Sequence, residues 1–263
     1  MATTSKWRPA HTLGLFVSAA IGIVGVVWAI RNQMLQLGWA ISFAATTFMW
    51  MVAGHGVLGM WRGVLISQRN VMSLARMQMI LWTIIVISAI FTAAMWNMHL
   101  DIDEALDIAI PGELWTLMGV ATTSLVGSAM IISSKETQKP DQADLAKTKD
   151  LLAKAGDDPK KIDNNGLALT NTEPEMASWS DLITGDETGN AAHLDLSKCQ
   201  MLLFTIVVAI IYSVSIWTLF GATGEEGSVT KLPDLDKSIL ALIGISHAGY
   251  LTYKAAPHSQ TQK

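Results

Sequence analysis

Cysteine is nearly missing from this chain. Cys199 is the only one in 263 residues, so no intrachain disulfide is possible and the redox compartment is left open. Charge is scarce too: charged residues make up 15% of the chain, against about 25% in ordinary soluble domains. The net charge of −4 gives no basis for nucleic-acid binding. The seven prolines leave the interior of every long apolar run uninterrupted, and no Asp or Glu lies within one. Solute transporters and proton pumps commonly rely on intramembrane carboxylates or broken helices, and neither is present. The sequence also lacks a Walker loop, a dinucleotide fingerprint, a nucleophile elbow, a His-Glu-x-x-His pair and a potassium filter.

What the chain does have is long uncharged stretches: 9–30, 32–61, 77–100, 114–134, 199–224 and 238–253. About 20 apolar residues cross the hydrocarbon of a bilayer as a helix. Five stretches reach that length. The sixth is short, and snorkelling by Lys237 and Lys254 is expected to lengthen it. The expected fold class is therefore all-α, a polytopic integral membrane protein with six transmembrane helices. An N-terminal pair occupies 1–62, with spans at about 11–30 and 39–61. The next hairpin occupies 63–134, with spans at about 77–98 and 114–133. A polar loop follows at 135–194, and a final hairpin with tail fills 195–263, with spans at about 200–220 and 238–254. Lys6 and Arg8 precede the first run as they would in a signal peptide. That run exceeds the usual apolar core of about 7–15 residues, so it is expected to be retained.

The two later hairpins read as a repeat. Residues 73–83 and 195–205 share five of eleven identities, and Arg76/Lys198, Ile80/Leu202 and Trp82/Phe204 are conservative. Ile110-Pro111 and Leu232-Pro233 recur in the two acidic loops. Both copies run in the same direction, which predicts a parallel repeat about an axis along the membrane normal. Alternating loops put 15 of the 18 Lys and Arg residues on one side, so both termini are expected in the cytoplasm. Trp7 and Trp61 fall at inner helix ends. Trp39, Trp96, Trp115 and Trp217 fall at outer ends, as an interfacial aromatic belt would have them.

Within the polar loop, Asp144 to Ala155 reads as a short amphipathic helix and Gly156-Asp157-Asp158-Pro159 as a turn. The stretch from Asn164 to Pro174 reads as a flexible linker. Ser178-x-x-Asp181 suits a capped helix start, and Trp179, Asp181, Leu182 and Ile183 form the expected partner-docking segment. Gln78 and Gln200 hold equivalent places, each two residues after a cation, and with Arg76 and Lys198 make a candidate intramembrane polar cluster. Interhelical hydrogen bonding explains the glutamines better than a lined cavity does. Arg76 and Lys198 are expected to meet headgroups or loop acids. His55 and His247 are the weak cofactor candidates, at matching depths of roughly 10 Å. Their small neighbours favour packing, so no cofactor and no metal is expected.

The chain resembles a poorly characterised group of bacterial integral membrane proteins. The resemblance is carried by Gln68 to Gln78 running into Leu81-Trp82-Thr83, by Ala177 to Leu182 with Gly185-Asp186-Glu187, by Asp195 to Lys198 with Gln200, and by Leu242 to Tyr250. It implies a bacterial inner-membrane protein and transfers no activity. The leading expectation is a non-enzymatic membrane scaffold or anchor. It would present a cytoplasmic loop to a protein partner, or to a second copy of itself, from the lipid bilayer. A small channel or transporter between the repeated hairpins is the alternative, and a haem- or quinone-binding redox subunit the second.

Overall fold

A computed structural model describes residues 7–223 and 227–261. Lys6, Glu225, Glu226 and Lys263, counted in the charge pattern above, lie outside the described residues. The described residues are 67% helical. Among the described residues there are seven α-helices: α1 Pro9–Arg31, α2 Leu35–Leu58, α3 Leu74–His99, α4 Gly112–Lys135, α5 Gln142–Lys154, α6 Leu196–Thr223 and α7 Lys237–Ala255. Two short strands, β1 Ile162–Asn165 and β2 Ala168–Asn171, pair antiparallel. The helices α1, α2, α3, α4 and α6 are long and apolar enough to cross a membrane, which marks a multi-pass membrane protein. At 1.5 Å per residue the 28 residues of α6 reach about 42 Å, more than a hydrocarbon core of about 30 Å.

The sixth predicted span forms a helix, α7, but does not join that set. Its 19 residues reach only about 28 Å. Ser246, His247 and Tyr250 also put polar atoms on its buried face. The expected snorkelling of Lys254 does not occur. Its ammonium is buried and held by the Asp186 carboxylate at 2.5 Å.

The chain divides into two compact units, one of residues 1–64, 80–118 and 206–240, the other of 65–79, 119–205 and 241–263. In the first, α1 packs on α2 through small residues. A Cβ added at Gly22 would lie 2.8 Å from Ala45 Cβ, so only glycine permits this approach. Trp39 and Trp96, expected at an interfacial belt, are buried. Their indole N–H groups donate to Ser88 Oγ at 3.1 Å and to Gly227 O at 2.9 Å, which satisfies the polar edge inside the protein. Ala109 and Lys231 pair as a parallel bridge, each one residue before the Ile-Pro or Leu-Pro of its acidic loop.

The second unit contains the polar loop, which is folded. Asp141 caps α5 by accepting from the N–H groups of Ala143 and Asp144. The expected linker is instead the β1–β2 hairpin. Its two-residue turn has Gly166 at φ +58°, where a hairpin turn takes glycine first, and a Cβ there would collide with the Glu136 backbone. Leu145 from α5, Ile162 and Leu169 from the hairpin, and Ala191 bury together, with Leu152 packed beside them.

Candidate functional site

The second unit is organised by how α3 and α6 begin. The antiparallel bridges Ile66↔Met72 and Thr184↔Leu194 lie just before the two helices. The next residue, Ser73 or Asp195, sends its N–H back across the bridge, to Leu65 O at 2.9 Å or to Ile183 O at 2.8 Å. The same residue caps its helix. Ser73 Oγ accepts from Arg76 N, and Asp195 Oδ1 accepts from Ser197 N and Lys198 N. The cation one turn on then returns to the bridge. Arg76 Nη1 donates to Ile66 O at 2.9 Å, and Lys198 Nζ donates to Thr184 O at 2.6 Å.

On this frame sits an acid pair, Asp186 and Glu187, the second buried and the first largely so. Asp186 accepts from Arg69 Nη2 at 2.6 Å and from Lys254 Nζ at 2.5 Å, with Lys198 Nζ at 3.1 Å. Arg69 also donates to Leu169 O and Asp186 O, which ties the hairpin to the segment before α3. Glu187 accepts from Lys135 Nζ at 2.5 Å, and that ammonium also donates to the carbonyls of Lys254 and Ala256. Burial alone would raise the Asp186 carboxyl, but Lys198, Lys254 and Arg69 around it hold it well below the usual carboxylate range. Burial pushes the Asp181 carboxyl up, although the N–H groups of Met72 and Ser178 that it caps pull the other way. Four basic side chains from four segments thus converge on two neighbouring acids. Each cation is also satisfied by carbonyls or a hydroxyl, as buried charge requires.

Above the acid pair, polar side chains line one side of α7. Lys254 Nζ is 3.1 Å from Tyr250 Oη, which is 3.0 Å from Ser128 Oγ on α4. One turn along each helix, Ser124 Oγ is 2.5 Å from His247 Nδ1. Gln78 Nε2 donates to Thr205 Oγ1 at 2.6 Å and faces His247 Nε2 at 3.4 Å. With Gln78 as donor, the imidazole accepts at Nε2 and carries its proton on Nδ1, toward Ser124. Gln78 Oε1 and Ser246 Oγ are buried without a hydrogen-bond partner. A cavity of about 70 Å³ lies in the loop, lined in part by Arg69, Asn171, Met176, Ser178, Asp181 and Asp186. It has room for about two waters, far below the roughly 300 Å³ at which ligand pockets begin.

The expected site residues are distributed unevenly. Gln78 is fully buried, whereas Gln200 lies on the exposed face of α6, so the two do not form a symmetric cluster. Lys198 Nζ lies 3.1 Å from the Asp186 carboxylate, and Arg76 donates to the Ile66 carbonyl. His55, in the first unit, pairs with His11, whose Nε2 is 3.1 Å from His55 Nδ1. His247, in the second unit, is held by Ser124. The glycines beside His247, Gly244 and Gly249, face open space and are not close-contact positions. Among the described residues no group of three or more His, Cys, Asp or Glu side chains is placed to hold a metal ion. In the docking segment, Ser178 and Asp181 form the expected capping box on a single 3-10 turn, Trp179–Leu182. Leu182 is buried, and Asp181 is spent on internal bonds. Trp179 stands 57% exposed.

The sequence reading missed Asp186, Glu187, Arg69, Lys135 and Lys254 as a group. Their one local signal is Gly185-Asp186-Glu187, an acid pair beside a turn and ahead of a cation-bearing helix start. Compared with known proteins, the chain matches no family model, no curated protein and no solved structure.

Proposed function

We propose that this protein is a non-enzymatic scaffold of the bacterial cytoplasmic membrane. Its 136–195 segment serves as a rigid cytoplasmic platform for a protein partner. The observation that carries this reading is the Asp186 hub. One carboxylate is gripped by cations from the segment before α3, from α6 and from α7, and this fixes the loop at three points. The basic side chains of the hub are consumed by structural contacts, and the adjoining cavity is too small for a substrate. The platform then offers a partner its outer face, where Ala146, Lys147, Asp150 and Lys154 of α5 are exposed.

The finer architecture belongs to the same proposal: six spans with α7 as the last, both termini in the cytoplasm, and a parallel repeat. The cation asymmetry supports the orientation. The matching bridges, caps and returning cations at Ser73–Arg76 and Asp195–Lys198 support the repeat, as does the pairing of Ala109 with its equivalent, Lys231. The experiment is affinity purification from cells after cross-linking, comparing wild type with Asp186→Asn. A protein held by the wild type and lost from the variant is the expected result. Equal recovery of every bound protein from both would count against a platform role.

A second reading has one observation in its favour, the buried polar line of Gln78, His247 and Ser124. A small channel or transporter would use such a line as part of a pathway. Ion or proton flux into liposomes that disappears in His247→Ala is its test.

A further inference from the structure

Trp179 is the large aromatic side chain that the folded loop leaves outside. Its 3-10 turn is not free to wander. Asp195 N–H donates to Ile183 O at 2.8 Å, and Lys198 Nζ donates to Asp181 O at 3.1 Å and to Thr184 O at 2.6 Å. The turn is therefore fixed against the first turn of α6. That is where the charge of Lys198 gives way to the uncharged run from Cys199 onward. Two more large apolar side chains are exposed at this helix start, Leu194 and Leu196, the latter 74% exposed. Leu196 and Leu203 lie seven residues apart on one face of α6, and Leu203 is exposed as well. The exposed apolar surface of the span thus continues past its end onto the residues that hold the Trp179 turn. The surroundings are mixed: the Ser178 and Ser180 hydroxyls flank the indole in sequence. An apolar ring with a polar edge favours the boundary between hydrocarbon and water.

We infer that Trp179, with Leu194 and Leu196, is an interfacial foot that inserts among phospholipid headgroups where α6 enters the bilayer. The inference rests on the reading of α6 as a membrane-spanning helix. It assigns Trp179 to lipid and leaves the outer face of the platform to a protein partner. It also gives the Asp186 hub a second anchor, because the loop is tied to helix ends on one side and to the lipid surface on the other.

The test is collision accessibility of a nitroxide in full-length protein, reconstituted in vesicles of phosphatidylethanolamine and phosphatidylglycerol. Cys199→Ser removes the only native thiol, and single labels are placed at Trp179→Cys, Leu203→Cys and Ala146→Cys. Leu203 reports the span and Ala146 the exposed face of α5. The expected result is a ratio of oxygen to nickel-chelate collisions at 179 several-fold above that at 146 and below that at 203. Native fluorescence gives an independent reading. Lipids brominated high on the acyl chain should quench a component present in wild type and missing from Trp179→Phe. A label at 179 as open to the nickel chelate as the one at 146 overturns the inference, as does a label closed to both reagents, which would mean cover by protein. If the 203 label is aqueous as well, the spanning reading of α6 falls with it. If 203 is lipid-exposed and 179 aqueous, only the foot is lost.

Discussion

The largely buried Asp186 accepts from Arg69 and Lys254 and pairs with a third cation, Lys198, at 3.1 Å, so its removal leaves Arg69, Lys198 and Lys254 together without their common counter-charge. Breaking a buried pair by deleting one partner costs about 3–5 kcal/mol. Asp186→Asn is expected to lose stability in that range in thermal unfolding in detergent, whereas Asp150→Asn, which breaks an exposed pair on α5, is expected to cost less than about 1 kcal/mol. The pH dependence has a definite sign. A carboxyl whose folded value lies below its unfolded value of about 3.9 stabilises the fold fully above that value and loses the contribution as pH falls through the folded one. The gap in melting temperature between wild type and Asp186→Asn should therefore hold from pH 7 to about pH 5 and close below about pH 4. A gap that grows on acidification would contradict the assignment. His247 is a smaller case. Its bond to Ser124 makes it a packing residue, so His247→Ala is expected to cost about 1–2 kcal/mol and to leave the ultraviolet–visible spectrum unchanged. A Soret band in wild type that the variant lacks would favour a haem role instead.

The starts of α3 and α6 share one construction, a bridge, a capping side chain and a cation returning to the bridge. Ser73→Ala and Asp195→Ala each remove an N-cap, which costs about 0.5–2 kcal/mol. The Asp195 change is expected to be the larger, because its carboxylate accepts from Ser197 and Lys198 while Ser73 holds one long bond to Arg76 N. Melting curves of the two variants check this ordering, and the reverse order would count against the shared construction. The five long apolar helices were legible in the sequence because hydropathy over about 20 residues is a local property. The hairpin was not, because its strands carry Asp163, Asn164, Asn165 and Asn171, which look like linker until Arg69 and the α5 core cover one face. Gly166, the first residue of the two-residue turn Gly166-Leu167, was the overlooked signal. The equivalence of Gln78 and Gln200 failed for a different reason. A sequence repeat fixes the order of residues along a helix, while burial depends on neighbours that the two helices do not share. Trp39 and Trp96 misled likewise: their positions suited a belt, but Ser88 and Gly227 supplied hydrogen-bond partners from distant residues.

At the scale of the molecule, the legible part was a multi-pass helical protein with a polar loop. What could not be read was that the loop is an ordered part of the second unit. That order comes from pairings between Asp186 and residues over a hundred positions earlier or some seventy later, and no window along the chain displays them. The orientation is checked by reporter fusions after residues 105 and 165, which should report opposite sides. Equal signals would overturn the two-sided arrangement. The central claim, that the Asp186 hub makes the 136–195 segment a rigid platform, is tested most directly by hydrogen exchange in the purified full-length protein. The amides of Ile162–Asn171 should be strongly protected in wild type and should lose most of that protection in Asp186→Asn, with α1 and α2 unchanged as an internal control. Exchange of those amides at free-peptide rates in the wild type would contradict the account.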